Sequence, residues 1–180
     1  MRFSLVLFAF AVAALLAQPA VAQEVKPPPL PADLPDALLA KHAAGDSYCE
    51  PLDELVHGDD WRIYALTEGY VLYMVPCAAG AYNFSHMLYV GWGRSESYSR
   101  LLFADYFGLH GWGGVDQLYG AEFDPVTLQL TSFYKLRGIG DCGTAGVWVW
   151  DRYAFRMKAF FARHVCEGEP GDFPQVWPPQ

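Results

Sequence analysis

Apolar and aromatic side chains alternate with polar ones along most of the chain after residue 60, which is the pattern of half-buried β-strands. On this pattern strands are predicted at residues 61–66, 70–76, 82–91, 118–123, 127–136, 147–150 and 153–165. Short turns that contain glycine or proline, at 67–69 and 124–126, join neighbouring strands. The sequence therefore predicts a mostly β protein of about eight strands, folded as an antiparallel β-sandwich or an open barrel.

Alternation also assigns side chains to the faces of these strands. In the strand at 82–91, one face carries Phe84, His86, Leu88 and Val90. In the strand at 153–165, alternate apolar side chains are expected to face the core, namely Tyr153, Phe155, Met157 and Phe161. In the strand before it, Trp148 and Trp150 share one face. If exposed, this pair would suit stacking on sugar rings or contact with a protein, whereas a buried pair belongs to the core.

The first twenty-two residues have the pattern of a secretory signal peptide. Arg2 precedes an apolar stretch at 3–17, and Ala20-Val21-Ala22 fits the small-residue cleavage pattern. About 15 apolar residues are too few to span a bilayer, which needs about 20. We therefore expect cleavage after Ala22, no membrane span in the rest of the chain, and a periplasmic or secreted protein.

The remaining chain is predicted to form one domain. Residues 23–32 are a proline-rich leader, and 33–180 are expected to fold as a single β-rich domain. That domain begins with one short helix at 33–44, for which Asp33 is the predicted cap and Gly45 the stop.

Charge and cysteine content narrow the class of protein further. The formal net charge of −8 argues against nucleic acid and anionic membranes as partners and would suit a basic protein. Four cysteines permit three disulfide pairings in an exported chain. Because each pair flanks a local β unit, Cys49–Cys77 and Cys142–Cys166 are the pairings expected.

Searches for chemical motifs exclude several kinds of site. Residues 138–143 match G-x-G-x-x-G, but that motif binds a dinucleotide only when a helix follows, and here a strand is predicted. The five histidines show no metal-ligand spacing. No cofactor and no metal are therefore predicted.

Two kinds of candidate site remain. The glycine-rich segment 108–114 carries His110 and Trp112, which makes it a candidate binding loop. Scattered carboxylates would serve glycoside hydrolysis if they met in space. They are Asp59, Asp60, Asp105, Asp116, Glu122 and Asp141.

Several short segments occur in one order between residues 75 and 168. They are Val-Pro-Cys at 75–77, Gly-Ala-Tyr-Asn at 80–83, Glu-Phe-Asp-Pro at 122–125, Leu-Thr-Ser-Phe at 130–133, Arg-Gly-Ile-Gly-Asp-Cys-Gly at 137–143, Trp-Val-Trp-Asp at 148–151 and Cys-Glu-Gly at 166–168. Over about 77–177 the chain thereby resembles the C-terminal part of the bacterial domain of unknown function 1176 family. The resemblance implies an exported proteobacterial protein and supplies no catalytic residues. It makes Arg137 and Asp141, in its most specific segment, either binding residues or the residues that stabilise the turn.

The sequence thus leads to two functional hypotheses. The first is a non-enzymatic envelope module that binds an envelope protein or a glycan, or that inhibits a basic protein such as a lysozyme. The second is a hydrolase that acts on the cell wall or another carbohydrate with carboxylates near the Trp112 loop.

Overall fold

A computed structural model describes residues 30–45, 49–55, 61–93 and 95–179. The predicted signal peptide at 1–22 and residues 23–29 of the leader lie outside the described residues. Two short helices precede the strands, α1 (Asp36–Ala44) and α2 (Leu52–Leu55). The strands, in chain order, are β1 (Arg62–Ala65), β2 (Tyr70–Ala79), β3 (Phe84–Trp92), β4 (Tyr98–Arg100), β5 (Phe103–Tyr106), β6 (Trp112–Val115), β7 (Gln117–Tyr119), β8 (Glu122–Asp124), β9 (Gln129–Lys135), β10 (Gly143–Asp151), β11 (Ala154–Arg163) and β12 (Gln175–Trp177).

These strands form three antiparallel sheets. The first sheet has the order β1-β2-β3-β4, with β7 also paired to β3. The second sheet has the order β12-β11-β10-β9-β8, and β5 and β6 form a separate hairpin. The prediction of a mostly β, antiparallel protein is confirmed, and the described strands do not close into a barrel.

The first sheet is buried on both faces. On β2, Leu72 and Met74 pack into a core shared with the second sheet. Val71 and Tyr73 point the opposite way, into a second cluster that contains Leu38 of α1. Since successive side chains of a strand alternate between faces, β2 needs apolar residues at nearly every position. The order of layers is therefore helix, first sheet, second sheet.

The core between the two sheets is rich in aromatic rings. Trp148 and Trp150 are each only 3 % exposed, so both belong to the core. Their rings lie in edge-to-face contact with Phe103 and Phe155, at centroid distances of 5.2 and 5.3 Å. Such pairs contribute about 0.5–1.5 kcal/mol each beyond the area they bury.

Two of the four residues predicted to face the core from the strand at 153–165 do not face it. Tyr153 lies in the turn before β11 and is 66 % exposed. The other error, at Phe161, comes from a β-bulge. Val147 pairs with Ala159 while the next residue, Trp148, pairs with Met157, so Lys158 is left without a partner in the ladder. An extra residue reverses the alternation beyond it. Phe160, at 2 % exposure, therefore faces the core instead of Phe161.

The other differences lie at chain reversals and short strands. The strand predicted at 118–123 is two strands, β7 and β8, in different sheets. They separate at Gly120, which has a φ of +52° and would bring a Cβ within 2.9 Å of the Phe133 carbonyl oxygen. Helix α1 begins at Asp36 with Pro35 as its N-cap residue, and the Asp33 carboxylate accepts the adjacent amide of Leu34, so Asp33 is not the cap.

Both predicted disulfides are present, Cys49–Cys77 and Cys142–Cys166. The first ties the segment before α2 to the end of β2. The second joins the residue before β10 to the segment after β11. A disulfide that closes a loop of this size contributes about 3 kcal/mol in the chain-entropy description.

Substituting Gly146 tests the packing of the second sheet. A Cβ at this buried position would lie 1.9 Å from an atom of the Trp148 ring. We expect Gly146→Ala to lower the free energy of unfolding by about 1–3 kcal/mol, the usual cost of overpacking. Thermal and urea melts would measure the change.

The matched control is Gly114→Ala, because a Cβ at Gly114 meets nothing within 4 Å. It should change stability by less than about 0.5 kcal/mol. Equal losses in the two variants would contradict the described position of Trp148.

Candidate functional site

A cleft opens where the inner face of the second sheet changes from large to small side chains. Leu130 pairs with Trp148 in the core, and one step further along the same face Ser132 pairs with Gly146. Small side chains leave space between the sheets. The result is a cleft of about 330 Å³, bounded by this face, the β5–β6 hairpin and β7. We call it the Asp105 cleft.

Asp105 supplies a partly buried carboxylate to this cleft from β5. Its Oδ1 accepts the amide of Tyr106 at 2.8 Å. Burial raises the pKa of Asp105, although the Tyr106 amide, the nearby Thr144 hydroxyl and His164 oppose the rise. A carboxylate with a raised pKa in a cleft is a common mark of a functional site.

Aromatic rings line much of the rest of the cleft. Trp148 and Phe160 come from the second sheet, and Tyr119 comes from β7. The ring of Tyr119 packs against that of Tyr134 on β9, with the centroids 4.7 Å apart. Burial also raises the pKa of Tyr119. Its hydroxyl therefore stays protonated at neutral pH and is able to donate a hydrogen bond.

A second carboxylate, Asp116, lines the same cleft between β6 and β7. Its Oδ2 lies 3.1 Å from Nη1 of Arg100, so its charge is balanced by an ion pair. Among the described residues no ion pair of this kind involves Asp105. The two carboxylates therefore have different electrostatic environments within one cleft.

The predicted binding loop forms the end of the β5–β6 hairpin. Trp112 is 43 % exposed and packs its ring against Tyr106 and Phe160, each at 5.2 Å. His110 lies in the exposed turn Gly108–His110. Neither residue lines the Asp105 cleft, although Phe160 is shared between Trp112 and the cleft.

Arg137 and Asp141, the other predicted site residues, bind each other. Nε of Arg137 donates to Asp141 Oδ1 at 2.7 Å, and Nη2 donates to Oδ2. The buried carboxylate also accepts the amide of Gly168 at 2.6 Å. The Arg137 guanidinium, helped by the Gly168 amide, holds the pKa of Asp141 well below its usual range. This geometry agrees with the structural interpretation of the turn.

One group of ligand-type atoms converges at the same turn. The Asp141 carboxylate and the sulfurs of Cys142 and Cys166 lie within 4.8 Å of one another. The two sulfurs are joined as a disulfide, so they do not offer the thiolates that bind metal. The predicted acids Asp59 and Asp60 lie outside the described residues.

The sequence matches, over residues 9–180, the family described as "Protein of unknown function (DUF1176)". The chain belongs to this family. The match extends beyond the segment 77–177 on which the resemblance rested, and it includes the β5–β6 hairpin and β7. Family membership thus covers every strand that borders the Asp105 cleft.

A relative in Escherichia coli (strain K12), "Uncharacterized protein YpfG", is 30 % identical over 118 residues. The aligned part is 65 % of this chain and 33 % of the relative. The chain thus spans about a third of the length of the curated relative it matches. No solved structure matches the chain.

Two structural findings bear on the compartment of this family member. Both disulfides are of a kind that forms and persists outside the reducing cytoplasm, so they point to a non-cytoplasmic protein. None of the helices in the described part of the chain is long and apolar enough to cross a membrane.

The sequence singles out Trp148 as one of an aromatic pair and Asp105 and Asp116 only among scattered acids, and it does not indicate the other residues of the cleft. Ser132, Thr144 and Tyr134 look like ordinary strand positions in the sequence. They become neighbours through the register of β9 against β10. The sequence signal that could have indicated the cleft lies within a strand. There, small or polar residues at every second position follow large apolar residues at the preceding positions of the same face.

Melting experiments test the structural role of the Arg137–Asp141 pair. A carboxylate whose pKa is depressed in the fold stabilises the protein above its unfolded pKa of about 3.9 and loses that contribution as the pH falls. We therefore expect Asp141→Asn to lower Tm at pH 7. The difference from the wild type should narrow below about pH 4.

Arg137→Ala should lower Tm in the same direction, because it leaves a buried carboxylate without its cation. Asp172→Asn, a change at an exposed acid, serves as the control and should leave Tm unchanged. Melting curves of Arg137→Ala and Asp141→Asn that match the wild type would contradict the structural role.

Proposed function

We propose that this protein is an exported, non-enzymatic binding protein of the bacterial cell envelope, and that it binds a glycan in the Asp105 cleft. The observation that carries the proposal is the partly buried Asp105 carboxylate in a cleft of about 330 Å³ walled by aromatic rings. Small-molecule sites have volumes of about 300–1,000 Å³ and combine apolar walls with a few polar groups. The cleft falls at the lower end of this range.

The chemistry of the lining favours a sugar over an apolar ligand. The ring of Phe107, which is 45 % exposed, offers a stacking surface for the C–H face of a pyranose ring. Asp105 accepts hydrogen bonds from sugar hydroxyls, while Tyr119 and Ser132 donate as well as accept. A purely apolar ligand would leave these groups without partners, at a cost of about 1–3 kcal/mol for each.

Export is supported by the signal-peptide pattern at 1–22 and by the two disulfides. Cleavage after Ala22 and release into the periplasm or the medium are part of the proposal. The inhibition of a basic protein such as a lysozyme stays a prediction from net charge, because no feature of the cleft favours it.

Glycoside hydrolysis is the second candidate function, and one observation favours it. Asp105 and Asp116 line the same cleft, one with a raised pKa and the other in an ion pair with Arg100. Glycosidases use two carboxylates held in different environments in this way. We prefer binding because Arg100 already occupies an oxygen of Asp116, which opposes its use as a nucleophile or base.

Asp105→Asn tests the proposal, since it removes the charge and keeps the shape. Calorimetric titration would use chitotriose, cellotriose, maltotriose and a peptidoglycan disaccharide as probes. We expect the wild type to bind at least one probe and the variant to bind it about tenfold more weakly, the loss expected for a charge-assisted hydrogen bond.

Stability should change in the opposite direction. A pKa raised by burial means that the ionised carboxylate costs folding free energy above that pKa. Asp105→Asn should therefore raise Tm at pH 7. Weaker binding combined with higher stability would identify Asp105 as a functional residue and not a structural one.

Asp172→Asn, at an exposed acid that does not line the cleft, is the matched control for both measurements. Binding of none of the four probes by the wild type would overturn the proposal. Release of new reducing ends from a probe, lost in Asp105→Asn, would overturn the non-enzymatic part and establish the hydrolase instead.

A further inference from the structure

The end of the β5–β6 hairpin exposes several large apolar side chains together. It consists of residues 107–112, and we call it the apolar tip. Leu109, in the middle of its turn, is fully exposed, while Phe107 and Trp112 are 45 % and 43 % exposed. Apolar side chains that are exposed together commonly mark an interaction surface.

The two aromatic rings of the apolar tip are held in place by the protein itself. Trp112 packs against Tyr106 and Phe160, as described above. The ring of Phe107 lies over Gly113, where a Cβ would come within 2.7 Å of it. Because these contacts already restrict both rings, binding through them costs little additional conformational entropy.

Three backbone amides of the apolar tip donate to carbonyl groups within the tip. Phe107 donates to Gly111 at 2.8 Å, His110 donates to Phe107 at 3.2 Å, and Gly111 donates to Gly108 at 3.0 Å. An unpaired backbone group is costly wherever water is scarce, as it is below the surface of a lipid layer. These internal bonds reduce the cost of moving the tip into such surroundings.

The charge of the chain favours an uncharged surface as the partner of the apolar tip. Residues 106–115 contain no Asp, Glu, Lys or Arg, and the chain as a whole has a formal net charge of −8. Attachment to anionic lipids depends on clusters of Lys and Arg. The tip therefore suits zwitterionic headgroups.

The area of the apolar tip is small for a protein interface. A large aromatic side chain has about 150–250 Å² of surface, so the exposed parts of Phe107 and Trp112, together with Leu109, come to about 300–400 Å². A specific protein interface buries about 800 Å² on each partner. Attachment to a lipid surface has no such threshold, because its strength rises with the apolar area inserted.

From these observations we propose that the apolar tip inserts into the surface of a zwitterionic lipid bilayer and attaches the protein there reversibly. Leu109 enters the acyl boundary, and Trp112 lies at the level of the headgroups, where Trp rings are enriched. Phe107 also lines the Asp105 cleft, so attachment brings the cleft close to the lipid surface. The inference goes beyond the proposed function and does not depend on glycan binding.

Sedimentation with phosphatidylcholine vesicles tests the inference. The protein is recovered after export, and its intact mass establishes that the apolar stretch at 3–17 has been removed. We expect the wild type to sediment with the vesicles. Leu109→Asp should bind at least about tenfold more weakly, since burial of one Leu side chain accounts for a factor of this size.

Val126→Asp is the matched control. Val126 is 88 % exposed and lies in the turn between β8 and β9, outside the apolar tip. This variant should bind vesicles like the wild type, and neither substitution should change Tm. Raising the salt from about 0.02 to 0.5 M should leave binding to phosphatidylcholine unchanged, whereas added phosphatidylglycerol should weaken binding at low salt.

Brominated phosphatidylcholine locates the inserted residues, because bromine on the acyl chains quenches the fluorescence of a Trp ring that approaches it. Trp112→Phe keeps an aromatic ring at this position and should remove most of the quenching seen in the wild type. Trp92 and Trp177, which are 61 % and 44 % exposed, stay in this variant as internal controls.

Each alternative has its own outcome. Equal vesicle binding by the wild type and Leu109→Asp, or unchanged quenching in Trp112→Phe, overturns the inference. Tighter binding to anionic vesicles than to phosphatidylcholine overturns it in favour of headgroup attraction. A dimer that forms without lipid and is dispersed by Leu109→Asp overturns it in favour of a second copy of this chain. Absence of vesicle binding overturns it and leaves glycan binding, which is measured without lipid, unaffected.

Discussion

The two-sided burial of the β2–β3 hairpin positions every other element of this protein. Leu72 and Met74 on one face need the second sheet to cover them, and Val71 and Tyr73 on the other need α1. Because each face accepts only one layer, the N-terminal helix and the second sheet are forced to opposite sides. The Cys49–Cys77 bridge fastens the helical layer to the end of β2. The second sheet extends beyond the core, and the cleft forms in that region.

The cleft lies where side chains no longer fill the space between the two sheets. Trp148 folds its ring over Gly146, which closes the core at that point. Beyond it the facing positions are small or polar, so the space between the layers is left to a ligand. Asp105 lies in that space at a cost, because burial disfavours its charge. Functional sites commonly lower the stability of a protein in this way. The unfavourable burial of Asp105 is therefore consistent with the proposed glycan site.

Elements with long local patterns were predictable, and features created by pairing were not. Strands β2, β3, β9, β10 and β11 each contain a long apolar or alternating run, so the sequence predicts each of them, although it predicts only 147–150 of β10. The hairpin strand at 112–115 is missed because it is short and contains two glycines. The remaining features depend on how strands and side chains pair in the folded protein. The bulge at Lys158 turns Phe160 toward the core. The fold also brings the Arg137 guanidinium against the Asp141 carboxylate. No local pattern encodes either fact.

The turn that carries the family-like segment 137–143 supports the cleft although it does not line it. Asp141 and the Cys142–Cys166 bridge hold the start of β10 against the segment after β11. Gly143 then brings its backbone so close to Tyr134 that a Cβ would lie 1.9 Å from the Tyr134 carbonyl oxygen. Thr144 follows immediately and lines the cleft with Asp105, whose pKa its hydroxyl lowers. The position of Thr144 therefore depends on the turn, so residues that do not line the cleft still influence the surroundings of the Asp105 carboxylate.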